Sequence, residues 1–210
     1  MLRCDYSKKS HSNYLFTIFH RLNTGGMKLN NQEIRNCIYS GALNNLLREL
    51  NADPGWMKLN RMKKAIGYRF TKQELILRVF AFNDRYQAYG GRLARFLNEY
   101  MEDNKNPSAT KLQQKKDMFL RTVGVVFTKI FDGKAPPKMP ISVFETLLVG
   151  VSFNLQFLEA QSASRVKQLY KVLLAHEELS EAKLSEGLSG KARVIGRIEA
   201  AKGVLSEKLG

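Results

Sequence analysis

One stretch limits the folds open to this chain more than any other. Leu75-Ile76-Leu77-Arg78-Val79-Phe80-Ala81-Phe82 is apolar throughout except for one arginine. A run this uniform leaves no polar face for water, so it must be surrounded on all sides. Thr71-Lys72-Gln73-Glu74 stands immediately before it, in the pattern by which a hydroxyl and a carboxylate cap each other's backbone amides at a helix start. The expectation is therefore a central core helix opened by a Thr71/Glu74 capping box. Arg78 then needs a counter-charge, because an unpaired buried guanidinium is strongly destabilising. Glu33 and Asp84 are the candidates, and the pairing is expected to be structural.

The flanking sequence carries apolar residues at helical spacing. Leu43, Leu46, Leu47 and Leu50 form one stripe; Leu93, Phe96, Leu97 and Tyr100 form another. Leu112, Phe119, Val123, Val126, Phe127 and Ile130 continue the pattern from a start at Ser108 or Thr110. Ile141 to Leu158 reads as one buried helix or two short ones. Val166, Leu169, Tyr170 and Leu173, then Val194, Ile198, Ala201 and Leu205, complete the series. Breakers separate these runs: Asn51-Ala52-Asp53-Pro54-Gly55, Gly90-Gly91, Glu102 to Pro107, and Asp132 to Pro140. The fold class expected is mainly α, a multi-helix bundle of eight or nine helices. Residues 2–6 weakly suggest one short edge strand. Glu102 to Pro107 is the best linker, which divides the chain into lobes 1–104 and 105–210, or joins them as one domain.

The stretch from Phe16 to Asn36 reads as helix, sharp turn, helix. Leu15, Ile18, Phe19 and Leu22 share a face, and Asn23-Thr24-Gly25-Gly26 ends it. Asn30 and Glu33 have the spacing of a second capping box. Two glycines, Lys28 and a helix N-terminus stand close to Arg21 and Arg35, a combination suited to an anion. A plain tight connection has the same residues, so both readings stand. Neither is a P-loop: Gly190-Lys191 has Ser185 where the first glycine belongs and Ala192 after the lysine, and Gly133-Lys134 fails similarly.

Thirty-four Lys and Arg against 19 Asp and Glu leave a net charge of +15, with pI near 9.9. That excess favours polyanions, nucleic acid first among them. Lys58, Arg61, Lys63, Lys64 and Arg69, interleaved with Leu59, Met62, Ile66, Tyr68 and Phe70, are candidates for a DNA backbone, or else a solvated helix face over an apolar underside. Cys4 and Cys37 stand alone, and His11, His20 and His176 have no metal-ligand spacing. No nucleophile elbow is present. The expectation is a chain without a catalytic set or metal site of its own. Its polar N-terminus and interrupted apolar segments point to a cytoplasmic protein that does not engage a membrane.

Several short runs together resemble a known family. Ile18-Phe19-His20-Arg21-Leu22-Asn23-Thr24-Gly25-Gly26, Leu29, and Gln32-Glu33-Ile34-Arg35-Asn36 are similar to the internal motif of the GmrSD-type modified-DNA restriction family. The N-terminal domain of that family is ParB/sulfiredoxin-like. Glu74 to Arg78, Phe96 to Met101 and Val194 to Ile198 extend the likeness. The family's upstream D-G-Q-Q-R signature is absent, so the chain resembles the later, helical half of a member, and the strand at 2–6 would be a remnant of the missing half. The resemblance implies a DNA-associated module of phage defence. Arg21, Asn23, Thr24, Gly25, Gly26, Lys28, Glu33 and Arg35 would border a nucleotide or phosphate site. A nucleoside triphosphate would be held only with a completing chain, either a full-length restriction subunit or a second copy. The alternative is a non-catalytic protein that associates with such a subunit and modulates it.

Overall fold

The apolar stretch folds as the middle of a helix spanning Thr71–Arg85, and Leu75, Ile76, Leu77, Val79, Phe80, Ala81 and Phe82 are buried essentially completely. The computed structural model describes residues 14–18, 29–60, 71–185 and 187–206. In chain order the helices are α1 (Asn31–Ile38), α2 (Ala42–Asn51), α3 (Pro54–Leu59), α4 (Thr71–Arg85), α5 (Leu93–Asp103), α6 (Ala109–Val125), α7 (Ile141–Phe153), α8 (Leu155–Ala160), α9 (Ala163–Leu174), α10 (Glu181–Ser185) and α11 (Lys191–Val204). Residues 14–18 are also helical. The chain is thus a mainly α bundle, as its periodicity implies. The count exceeds nine because short helices such as α3, α8 and α10 lack a full apolar repeat. No strand occurs among the described residues, and positions 2–6 lie outside them.

Local chemistry accounts for most boundaries. The Asn30 side chain accepts from the Gln32 and Glu33 amides at 3.0 and 2.9 Å, and Glu33 accepts from the Asn30 amide at 2.7 Å, so the second capping box forms. Asp53 accepts from the Trp56 amide and Pro54 occupies the first helical position of α3. Ser108 and Ser162 cap α6 and α9. The Ile141–Leu158 segment is two helices, broken at Asn154, whose amide side chain bonds the Gly150 and Lys202 carbonyls. The last turn of α6 widens into a π turn over Val126–Ile130. It is closed by Asp132 and Gly133 at positive φ, and the Gly133 amide donates to the Phe127 carbonyl.

Packing centres on α4 and α7. Helix α4 is contacted by α1, α2, α5, α6 and α7; helix α7 packs most extensively on α11. That closeness rests on Gly150, where a Cβ would fall 2.6 Å from the Ala201 Cβ. Trp56 is fully buried, edge-on to Phe119 at 5.2 Å and stacked with Phe144 at 6.2 Å. One hydrophobic cluster runs from Tyr39 to Leu205 and crosses position 104 without a gap.

Two expectations about the core helix are corrected. Glu74 does not cap its helix, because both of its oxygens are taken by arginines. Arg78 is partnered by Glu74 and Glu145, not by Glu33 or Asp84. Glu33 is held by its own helix start, and Asp84 accepts from Tyr100 and Lys115.

Candidate functional site

Of the residues expected to border an anion site, Arg21, Asn23, Thr24, Gly25, Gly26 and Lys28 lie outside the described residues, while Glu33 and Arg35 are described. Glu33 caps α1. Arg35 points inward and is 1 % exposed. Its Nε donates to Asn98 Oδ1 at 2.8 Å, and its Nη1 donates to Glu74 Oε2 at 2.7 Å and Gln32 Oε1 at 3.1 Å. The guanidinium carbon lies 5.8 Å from the centroid of the Phe16 ring. Burial pulls the Arg35 pKa down and Glu74 opposes that shift, but an arginine stays cationic at any ordinary pH.

Arg35 is one end of a charge relay whose ends, Arg35 and Glu145, are buried and whose middle pair, Glu74 and Arg78, keeps 16 % and 20 % side-chain exposure. Glu74 Oε1 accepts from Arg78 Nε at 3.1 Å and Nη2 at 2.7 Å, and Arg78 Nη1 reaches Glu145 Oε2 at 2.9 Å. The sequence of charges is plus, minus, plus, minus, so the relay is neutral as a unit. Burial alone would raise the Glu74 pKa; Arg78 and Arg35 outweigh it and hold the carboxyl below its ordinary range. For Arg78 burial is likewise outweighed, by Glu145 and then Glu74, and its pKa rises. Beside the relay an amide network ties α1, α2 and α4 together. Asn36 and Gln73 exchange hydrogen bonds at 3.0 and 3.3 Å, and Asn44 donates to the Asn36 carbonyl at 3.3 Å. Glu74, ionised and holding three arginine N–H groups, has no proton to give near neutral pH. The arrangement orients α1.

Of the DNA-backbone candidates, Arg61, Lys63, Lys64 and Arg69 lie outside the described residues. Lys58 is exposed at the end of α3, next to Met57 at 57 % exposure. Around the bundle many carboxylates are spent on cations: Glu49 on Lys116, Asp103 on Arg85, Asp132 on Lys167, Glu159 on Arg121, and Glu178 on Lys183. Arg48, Lys58, Lys105 and Lys111 are exposed, and no carboxylate lies within ion-pair distance of them among the described residues. The surface excess of charge is therefore cationic. Lys129, by contrast, is structural, donating to the Leu158, Glu159 and Gln161 carbonyls at the end of α8. His176 caps a single 3-10 turn through Nδ1.

A cleft of about 390 Å³ was not expected from the sequence. It is lined by Asn83, Asp84, Asn104, Lys111, Gln114, Lys115 and Met118. Positions 111, 114, 115 and 118 carry the signal that would have found it, one helix stripe with polar residues where a core-facing stripe has apolar ones. Arg197 was also missed as a buried group. It is 3 % exposed, donates Nη2 to the Leu188 carbonyl, and finds no partner for Nε or Nη1 among the described residues.

No helix among the described residues is long and apolar enough to cross a membrane. Compared with known proteins, the chain matches no family model, no curated protein and no solved structure.

Proposed function

We propose that this protein is a nucleic-acid-associated helical module related to modified-DNA restriction proteins. It holds the DNA backbone through its surface cations, or contributes part of a nucleotide site that another chain completes. The observation that supports the reading is the imbalance of the surface: among the described residues Arg48, Lys58, Lys105 and Lys111 are exposed with no ion-pair partner, while carboxylates such as Glu49 and Asp132 are held by other cations. A field of that sign concentrates phosphate polyanions and displaces their counter-ions. Lys58 and the basic stretch to Arg69 form the backbone-contacting element. Arg21, Asn23, Thr24, Gly25, Gly26 and Lys28 border the phosphate site, Glu33 caps the helix that follows, and Arg35 positions that helix from inside.

The test is binding of a fluorescently labelled duplex, with and without modified cytosine, measured by anisotropy between 50 and 200 mM salt. Log affinity should fall linearly with log salt, with a slope of about −0.9 per phosphate neutralised. Lys58→Glu combined with Lys63→Glu and Lys64→Glu should flatten it. A chain that ignores DNA at low salt, or a triple variant that binds like the parent, sinks the reading. Copurification with a restriction subunit alongside indifference to DNA would favour the modulator alternative.

A further inference from the structure

The cleft between the ends of α4 and α5 and the first half of α6 lies apart from the relay and shares only Lys111 with the basic surface, and its two walls are chemically opposite. One wall is formed where α4 and α5 end. Asn83 and Asp84 lie in the last turn of α4, and Asn104 follows the last residue of α5. Helix C-termini carry partial negative charge. Asp84 accepts from the Tyr100 hydroxyl at 2.7 Å and Lys115 Nζ at 2.5 Å, both on Oδ2, which leaves Oδ1 as an open acceptor. Asn83 donates its amide to Ser152 Oγ at 2.9 Å, and Asn104 donates to the Tyr100 carbonyl at 3.0 Å, so their side-chain oxygens are open as well. This wall accepts hydrogen bonds and favours a cationic donor.

The opposite wall is the α6 stripe. Lys111 and Gln114 have no side-chain partner within the described residues, and Lys115 keeps two N–H groups beyond the one given to Asp84. Lys115 is held in place, its Nζ 5.5 Å from the ring centroids of both Phe80 and Tyr100. Those rings are fully buried beneath it, so the cleft offers no aromatic face on which a nucleobase could stack. Two ammonium groups against one carboxylate give the lining a charge of plus one.

We propose that this cleft binds a small acidic zwitterion of the α-amino acid type. Its ammonium faces Asp84 Oδ1 and the Asn83 and Asn104 oxygens, and its two carboxylates face Lys111 and Lys115. A ligand with one ammonium and two carboxylates matches the charge of the lining, and about 390 Å³ admits a molecule of that size together with water.

The probe is L-glutamate, titrated calorimetrically into the full chain beside glutarate, which lacks the ammonium, and beside adenosine monophosphate and inorganic phosphate. L-glutamate should bind about tenfold more tightly than glutarate, and the nucleotide no better than phosphate. Lys111→Ala disturbs no side-chain hydrogen bond among the described residues and should weaken L-glutamate about tenfold. Asp84→Asn, checked for folding by circular dichroism, should erase the preference for L-glutamate over glutarate. Equal binding of L-glutamate and glutarate, tighter binding of the nucleotide, or indifference to Lys111→Ala would each overturn the assignment.

Discussion

Replacing Glu74 by glutamine tests whether the part-buried relay is what holds α1 to the core. The carboxylate receives three arginine N–H groups, from Arg35 Nη1, Arg78 Nε and Arg78 Nη2. Glutamine keeps one acceptor oxygen but turns an NH₂ group toward a guanidinium, and the relay passes from neutral to plus one. Removing one partner of a buried charge group costs about 3–5 kcal/mol, and the retained oxygen together with the partial exposure of Glu74 and Arg78 places this case at the low end, about 3 kcal/mol. A domain of this kind is stable by only about 5–15 kcal/mol, so the loss is a large fraction of the whole. It corresponds to a fall in melting temperature of about 6–12 °C. Trp56 is the sole tryptophan and fully buried, so its fluorescence reports urea unfolding directly. The midpoint should drop without a change in slope.

The pH dependence gives the same prediction a second edge. Because the folded-state pKa of Glu74 is depressed, its contribution is complete above the unfolded value of about 4.3 and is lost as pH falls through the lower folded value. The gap between parent and variant should therefore be constant at pH 6 and 7 and narrow only below about pH 4. Arg35→Met restores neutrality when added to Glu74→Gln, since Arg78 and Glu145 then balance. The double variant should be more stable than the sum of the singles by about 1–3 kcal/mol. A Glu74→Gln protein within 1 kcal/mol of the parent at pH 7, or one that keeps the parent's full acid limb, refutes the reasoning.

Two glycines in helices should respond oppositely to alanine. Gly150→Ala drives a methyl into Ala201 at the tight α7–α11 crossing and should cost about 1–3 kcal/mol in urea unfolding, outweighing the gain in helix propensity. Gly124→Ala, in α6 with nothing within 4 Å of the new carbon, should raise stability by about 0.5–1 kcal/mol in the same assay. Lys129→Met removes three hydrogen bonds to carbonyls at the end of α8 and should cost about 1–2 kcal/mol, with hydrogen exchange quickening first around residues 158–161.

The longer helices were legible because each announces itself locally. Asn30 with Glu33 and Ser108 are caps whose partners lie within three residues, and the apolar stripes recur at helical spacing; Asp53-Pro54, by contrast, reads as a breaker, and the short helix it opens has no stripe to reveal it. The relay was not legible, because its partners are distant. Arg35 meets Glu74 39 positions on, and Arg78 meets Glu145 67 positions on. Thr71-Lys72-Gln73-Glu74 is also ambiguous in itself: a glutamate there can cap its helix or pair with an arginine four residues later, and Arg78 took the second use. Helix α1 hid Arg35 for another reason. Gln32, Glu33, Ile34 and Arg35 are buried in succession, so the helix has no dry stripe against which a charged residue would stand out as exposed.

That placement changes what Arg35 can contribute to a polyanion site. A charge already neutralised by Glu74, and desolvated at 1 % exposure, releases no counter-ion when a phosphate binds nearby. If the nucleic-acid reading holds, Arg35→Met should leave the slope of log affinity against log salt unchanged. It should lower affinity only through the weakened seating of α1. Lys28→Ala with Arg21→Ala should do the reverse, flattening the slope by about 0.9 for each phosphate no longer neutralised while stability stays near that of the parent. The two variants measured side by side on one labelled duplex separate charge from position. A slope that flattens with Arg35→Met would mean that the guanidinium leaves Glu74 to meet the phosphate, and the relay would then be a switch rather than a brace.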